Sequence, residues 1–432
     1  MEPRRSIVTA FRGIRYRTSG CSDLSALIAP PYDVISEEMQ AELYARHPHN
    51  FVRVELPRNP GGEGRYQSAA QTLAKWRENG VMASEKAPAV YVLEQEFRAG
   101  GEVLRRRGVL SLVRLPEEGR RYILSHEGTL AAARADRLEL MRACQAMTSP
   151  VMVIHEDPEG ELLGRLGADR GAPQAEAEEH DGVRDRLWVV SDDEAVSAIA
   201  EAVGGGPLAI ADGHHRFETA MAYRREMRAR RQEAPPEAEF NYALMLITSG
   251  QDPALAILPT HRVLSGLGEA GVAEMKARMQ SAFHVSEMPL REENLRAGAW
   301  DDCLPSDRPA FAVYLGGGTY YVLAARDNVL AEAPSVVERL AVSIIHRYLI
   351  DPAIEASGNG RCEIRYVTGA RQALEAVRQG TSDAAVLLRP TRVGDVLAAA
   401  RAGRKMPGKS TYFYPKVPAG WVLSGATAAP VL

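Results

Sequence analysis

The chain has 432 residues, of which 45% are hydrophobic and 25% charged, and its formal net charge is -4. That length accommodates two or three domains or one large composite fold, and the composition is that of an ordinary globular protein. The lack of a basic surplus argues against nucleic acid as the main partner, because gripping a phosphate backbone normally needs a positive surface.

In chain order, residues 7–11 read as a first strand. Pro30-Pro31 forces an extended path into Tyr32-Asp33-Val34-Ile35, and Ser36 followed by Glu37 and Glu38 marks a helix start that runs to Arg46. Residues 51–56 alternate like a half-buried strand, with Arg53 and Glu55 on one face, paired with each other or turned into a cleft. A helix over 66–79 ends at Gly80. Strands at 89–97 and 103–113 flank Gly100-Gly101 as a hairpin, and Glu94 and Glu96 read as a solvated sheet edge. Ser125-His126-Glu127-Gly128-Thr129 precedes a helix that carries Asp136-Arg137 and is closed by Ser149-Pro150. This polar cluster suits an N-cap with a charged first turn as well as it suits a ligand. Residues 151–155 read as a buried strand, 156–185 as an acidic, weakly periodic stretch that includes a surface excursion, 187–190 as a strand and 192–203 as a helix.

The next stretch, residues 208–220, concentrates the chemistry. A short apolar run, 208–211, reads as a buried strand, Asp212-Gly213 as a tight turn, and the pattern becomes helical from about Phe217. Strand, glycine turn and helix start together make a ready anion site. Asp212 can orient a hydroxyl or take its proton, Arg216 can fork two phosphate oxygens, and His214 and His215 can donate to phosphate or shuttle a proton. The plainer alternative is a turn in which Asp212 caps the helix and His215 and Arg216 are solvated.

Beyond it, 228–239 reads as a charged surface loop with Arg228, Arg230 and Arg231 solvated, and 242–248 and 254–258 as apolar strands. Pro259-Thr260-His261-Arg262 follows a strand end, where α/β folds present ligands. A helix at 271–282, a hairpin over 310–323, a helix over 336–350 with His346 as a core histidine, and alternating strands and helices at 364–402 follow. The segment 404–416 combines cations, hydroxyls and aromatics. Lys409, Ser410 and Thr411 can contact phosphate and Tyr412 can stack on a base, or the segment is a terminal strand packed on the core. No Gly-x-x-x-x-Gly-Lys-Ser/Thr run exists, so a Walker-type NTPase is not expected. No His-Glu-x-x-His run exists either, and no metal-ligand set is assigned.

Asp212-Gly213-His214-His215-Arg216 resembles the motif of the ParB/sulfiredoxin superfamily, which holds nucleotide phosphates at a helix start. Its members include partition proteins, sulfiredoxins and free-serine kinases. The whole chain also resembles a large, little-characterised prokaryotic family of about this length. That likeness rests on Pro30 to Ile35, Asn50 to Pro57, Ser125 to Thr129, Ala211 to Ala220, Leu258 to Arg262 and Met406 to Lys416. The sulfiredoxin branch needs a cysteine near the turn, but Cys144 and Cys303 are remote from it in sequence. A partition role needs a helix-turn-helix after the motif, where this chain has Pro and strands.

The resemblance implies an α/β fold with mixed sheets and a ParB/sulfiredoxin-like core over 186–265, between an N-terminal part, 1–155, and a C-terminal part, 266–432. It implies a small-molecule kinase using ATP or ADP with Mg²⁺, most simply converting free L-serine to phosphoserine. A non-catalytic nucleotide-binding regulator and a phosphatase acting on such a product stay open. The expected catalytic residues are Asp212, His215 and Glu55. Gly213, His214, His215, Arg216, Lys409, Ser410 and Thr411 are expected to hold the nucleotide, and Asp33, His126, Glu127, His261 and Arg262 the acceptor. Asp33, Glu55, His126, Asp212 and Lys409 are expected to line one cleft. The expected partners are a nucleotide and a small polar metabolite of the amino-acid class, with no nucleic acid and no membrane; a homodimer stays open. Cys21, Cys144, Cys303 and Cys362 form no Cys-x-x-Cys pair, which fits a reducing cytoplasm. Met1 to Arg5 precede no apolar run of the signal-peptide kind, and no stretch approaches the roughly 18 apolar residues of a membrane span.

Overall fold

The computed structural model describes residues 6–18, 22–58, 64–291, 300–358, 360 and 362–431. Cys21 and the Met1 to Arg5 segment lie outside them. The chain folds into two compact units: residues 1–125, 129–256 and 413–432 form the first, and 126–128 with 257–412 the second. The expected 186–265 core is shared out, 186–256 to the first unit and 257–265 to the second.

The first unit is built on a large mixed sheet. Its strand order is Ser22–Asp23, Ala175–Glu178, Arg184–Val190, Val90–Ala99, Glu102–Arg114, Tyr242–Ser249, Val151–His155, Leu208–Asp212 and Ile123–Leu124, with Val8–Thr9 added beside Glu102–Arg114. Tyr242–Ser249 runs parallel to Val151–His155, and Leu208–Asp212 parallel to Ile123–Leu124; the neighbours at the centre are otherwise antiparallel. The central strands are continuous runs of buried residues, as a sheet covered on both faces requires. The Ala131–Cys144 helix packs on the His214–Arg230 helix, tied by Arg142 to Glu226 and Thr129 to Glu218. The helix start at Ser36 is as expected: its hydroxyl accepts the Met39 N–H at 3.2 Å, and the helix spans Glu37–Arg46.

The second unit has an antiparallel sheet ordered Phe283–Pro289, Thr319–Ala325, Ala310–Tyr314, Ala384–Leu387, His261–Ser265 and Glu363–Val367. Alternation along its strands feeds two cores. Leu264, Phe311, Val313, Leu323 and Val386 face the Gly268–Ala282 and Ala341–Ile345 helices. Val263, Ala312, Val322 and Leu387 face Trp300 and the Ala370–Arg378 helix.

Several expectations are corrected. Residues 51–56 are not a strand: Val52–Glu55 is a short helix, opened by wholly buried Asn50, whose side chain accepts the Val52 N–H at 3.0 Å. Over so few residues, alternation of apolar side chains does not separate a buried turn from a strand. Glu94 is no solvated edge: its strand is central, and register sets it between Arg186 and Arg107, which bind it at 2.9 and 2.6 Å. The 156–185 stretch contains the Glu161–Gly167 helix and the Ala175–Glu178 strand. The motif helix starts at His214 and runs to Arg230, and Arg228 is exposed as expected, pairing at the surface with both oxygens of Glu117 at 2.8 Å. The helix before Ser149-Pro150 already ends at Cys144. The expected 336–350 helix is Ala341–Ile345 followed by a π-helical turn, His346–Ile350. His346 Nδ1 lies 3.1 Å from Asp351, so its satisfied-histidine reading holds for that nitrogen.

Candidate functional site

Leu208–Asp212 pairs with Val151–His155 through a register shift between Ile210 and Asp212, so that Asp212 closes the strand opposite Met152. Gly213 follows at φ +88°, a left-handed conformation that lets the chain turn directly into the His214–Arg230 helix. No side chain caps this helix. Its first turn therefore offers the positive end of the dipole instead of a bound carboxylate. Asp212 is not the cap of the plainer alternative. Its carboxylate faces two cations: Oδ2 accepts from Arg216 Nη2 at 2.6 Å, and Oδ1 accepts from Lys416 Nζ. Burial alone would raise the Asp212 pKa, but Lys416 and then Arg216 outweigh it and hold the group well below the usual carboxylate range.

Arg216 is 7% exposed and also donates to the Pro150 carbonyl. Burial alone would depress its pKa; the charges of Asp212, Asp33 and Glu55 reverse that and raise it. Asp33 is exposed and sits on the Tyr32–Val34 turn that Pro30-Pro31 sets up. Tyr32 beside it has its hydroxyl pushed up to about 12, by burial first and then by Asp33, and Arg137 lies 4.0 Å over its ring. Glu55 is fully buried: Thr148 and Ser149 hydroxyls donate to it at 2.7 and 3.0 Å, with Arg137 at 3.7 Å. A small pocket lies here, with Arg137, Thr148, Ser149, Arg216 and Thr219 as its polar lining and Leu140 and Met147 among its apolar walls. His215 is half-buried, and its Nε2 accepts the Leu130 N–H at 2.8 Å, so that nitrogen is already engaged. His214 is buried in the first helical turn.

The other expected residues gather in the second unit. His126 Nε2 is 3.5 Å from Thr411 Oγ1, Glu127 accepts the Lys409 N–H at 3.2 Å, and Lys405 Nζ donates to the Glu127 carbonyl at 2.9 Å. Lys409 is exposed, at a left-handed φ of +57°, and Ser410 is buried. His261 and Arg262 follow the Ala256–Ile257 strand but open the next one, His261–Ser265. That strand is central, and they are each 1% exposed. His261 Nδ1 accepts the Leu388 N–H at 3.1 Å and burial pulls its pKa down to about 4, while Arg262 donates to the Thr260 and Lys409 carbonyls. Arg262 thus supports the 405–411 loop through Lys409, while His261 is packed against Leu388 and Trp300. Asp33, Glu55, Asp212 and Arg216 thus belong to the first unit, and His126, Glu127, Lys409, Ser410 and Thr411 to the second.

The residue that sequence reasoning missed is Lys416, the last residue of the Met406 to Lys416 run and the second cation on Asp212. Arg137, Thr148 and Ser149 were missed too, since only the fold brings them to Glu55.

The family model described as "Protein of unknown function (DUF1015)" matches residues 8–343. The chain belongs to this DUF1015 family. No curated protein matches it. Among solved structures, the DUF1015 chain resembles a conserved hypothetical protein from Pyrococcus furiosus at 13% identity and TM-score 0.36, over 73% of this chain and 98% of that one. It resembles a free serine kinase in complex with AMP at 14% identity and TM-score 0.37, over 71% and 89%. It also resembles SbnI with a C-terminal truncation from Staphylococcus aureus at 10% identity and TM-score 0.37, over 72% and 86%. Likeness at this level carries no conclusion about what the DUF1015 chain does. Among the described residues no helix is long and apolar enough to cross a membrane, and no three His, Cys, Asp or Glu side chains converge as a metal cage.

Proposed function

We propose that the protein is a nucleotide-dependent kinase that phosphorylates a hydroxyl of a small polar metabolite, with free L-serine as the first acceptor to test. The observation that carries this reading is the Asp212–Gly213–His214 junction, an uncapped helix start flanked by Arg216 and Lys416. We read this junction as the phosphate grip of a ParB/sulfiredoxin-like core. Phosphoryl transfer asks a protein mainly to hold phosphates, neutralise the moving group and align the acceptor. Backbone N–H groups of the first turn, Arg216 and Lys416 supply the first two. Asp212 supplies the third: kept ionised by two cations, it is a weak base and a good acceptor, so it orients the hydroxyl by accepting its hydrogen bond. Glu55, enclosed by Thr148, Ser149 and Arg137, acts by setting those groups rather than by meeting substrate.

Mg²⁺ in such sites is held by nucleotide phosphates with one or two carboxylates rather than by a protein cage. Exposed Asp33 fits that demand, whereas both oxygens of Asp212 are already held by Arg216 and Lys416. The ion would supply charge neutralisation on the phosphates.

A non-catalytic nucleotide-binding role has one observation in its favour: Arg216 and Lys416 already occupy both oxygens of Asp212, and the three keep one net positive charge for an anion. The test is transfer from ATP or ADP with Mg²⁺ to a panel of free amino acids and polyols, with Arg216→Ala as the control. Turnover that the variant loses supports the kinase. Nucleotide binding without turnover on any acceptor selects the regulator. Hydrolysis of phosphoserine without nucleotide use selects the phosphatase.

A further inference from the structure

A row of buried polar side chains crosses the first unit's sheet beneath the segment that carries Lys416. In register, Asp185 lies opposite Gln95, and Gln95 opposite Arg106. Each of the three is at most 1% exposed. Arg106 donates to Gln95 Oε1, to the Pro415 carbonyl at 2.6 Å and to the Tyr414 carbonyl at 3.2 Å. Gln95 Nε2 donates to the Lys416 carbonyl at 3.1 Å. Three successive carbonyls, 414 to 416, are therefore gripped from below, and the side chain of the last reaches Asp212.

At the far end of the row two acids meet. Glu179 Oε1 and Asp185 Oδ1 are buried and no donor reaches either. Yet the two side chains lie within hydrogen-bond reach of each other, and the second Asp185 oxygen accepts Trp421 Nε1 at 3.2 Å. Two carboxylates in such contact repel strongly in a water-poor interior, whereas one proton between them turns the repulsion into a hydrogen bond. Burial raises Asp185 to about 7 against the lowering influence of Gln95, Trp421 and Arg106; burial, and then Asp185 itself, raises Glu179. The other charges facing the row are Asp181, which accepts the Tyr414 hydroxyl at 3.1 Å, and Asp252 and Asp212 near Arg106. Glu42, Arg46 and His180 line the pocket beside Glu179, and Asp23, Glu176, Glu178, Arg184 and Arg186 the one beside Asp185.

We propose that Arg106 is a positioning residue for Lys416, and that the Glu179–Asp185 pair holds a single proton which balances Arg106 and keeps that grip closed. The positioning half rests on the reading of Lys416 as part of the phosphate site. With one proton the pair carries one negative charge against one guanidinium. Loss of that proton adds a second charge, draws the guanidinium back from the Tyr414 and Pro415 carbonyls, and slackens Lys416. Nucleotide affinity then falls as pH climbs above the ordinary carboxylate range.

The test is nucleotide affinity across that rise in pH for the wild type, Glu179→Gln and Arg106→Lys, with infrared difference spectra of the carboxyl region. Glu179→Gln puts an amide N–H where the shared proton sits. It is expected to hold its high-pH affinity several-fold above the wild type and to lose the pH dependence. Arg106→Lys is expected to weaken binding at every pH, because an ammonium does not span both carbonyls. The wild type at neutral pH is expected to show the carbonyl stretch of a protonated carboxyl, absent in Glu179→Gln. Nucleotide binding with no such band, or with the same pH profile in Glu179→Gln, overturns the proposal. A band present with no nucleotide binding in any form overturns the functional reading and the positioning half, and leaves the shared proton standing.

Discussion

Gly213→Ala is the most incisive perturbation of the central junction, because the structure sets its cost from two independent directions. The residue sits at φ +88°, where an L side chain costs roughly 1–2 kcal/mol. A Cβ built there would stand 2.9 Å from Arg216 Nε, 3.0 Å from Cζ and 3.1 Å from Nη2. The guanidinium must give way, and its position is fixed by Asp212 on one side and Pro150 on the other. Losing either bond in a buried setting costs about 1–3 kcal/mol more. The sum is about 2–5 kcal/mol, against roughly 1 kcal/mol of stabilisation expected for Gly164→Ala. That second glycine lies within the Glu161–Gly167 helix, with nothing within 4 Å of its added methyl. Urea denaturation followed by tryptophan fluorescence reads the difference, since Trp76, Trp188 and Trp421 all belong to the first unit. A cost at Gly213 below about 1 kcal/mol would mean that Arg216 has room to move, and the rigid phosphate grip would be refuted.

Arg216→Met is expected to cost about 2–4 kcal/mol, less than the full penalty of breaking a buried ion pair because Lys416 still neutralises Asp212. In a cycle with Asp212→Asn the two losses should fall short of additivity by about 0.5–3 kcal/mol in unfolding measurements; simple additivity would show the pair to be uncoupled. Glu55→Ala, which leaves the Thr148 and Ser149 hydroxyls without their acceptor while Asp136 still pairs Arg137, is expected to cost about 1–3 kcal/mol in the same assay. A variant that unfolds like the wild type and loses only turnover would return Glu55 to the catalytic role. His261 binds fewer protons folded, at about 4, than unfolded, so its contribution is full above about 6.5 and is lost as pH falls from there through 4. His261→Gln should flatten that acid limb of the melting curve. The Glu179–Asp185 pair has the opposite sign: its raised folded pKa makes stability fall as pH climbs from the ordinary carboxylate range towards 7, and Asp185→Asn should remove that slope.

What was legible in the sequence follows from how local each signal is. The Ser36 cap, the Gly100-Gly101 hairpin and the strand–glycine–helix at Asp212 are written within a few residues, and all three appear in the structure. Residues 51–56 were misread because burial of Val52, Val54 and Glu55 in a helical turn mimics strand alternation over so short a span. Glu94 was misread because nothing near it in sequence tells that Arg107 and Arg186 will flank it in register. The same limit hid Lys416: its relation to Asp212 spans 204 residues and depends on the Arg106 and Gln95 bonds that fix the backbone of 414–416. His261 and Arg262 show the converse, since charged or titratable residue types say chemistry while their burial says scaffold.

The balance of charge at Asp212 also decides how a ligand would have to enter. Arg216 and Lys416 each hold one oxygen of the same carboxylate, so an arriving phosphate competes with Asp212 for donors that are already used. Its net affinity is the difference between two charge-assisted sets of bonds, not the sum of new ones. Removing the competitor therefore separates the two roles proposed for Asp212. Asp212→Asn keeps the shape, frees both cations and should tighten nucleotide binding while lowering phosphoryl transfer, because the acceptor hydroxyl loses its charged partner. Calorimetry with nucleotide alone, beside the transfer assay, tests this. Weaker nucleotide binding in Asp212→Asn would show that the carboxylate helps hold the nucleotide, directly or through a cation, and the competition would have to be abandoned.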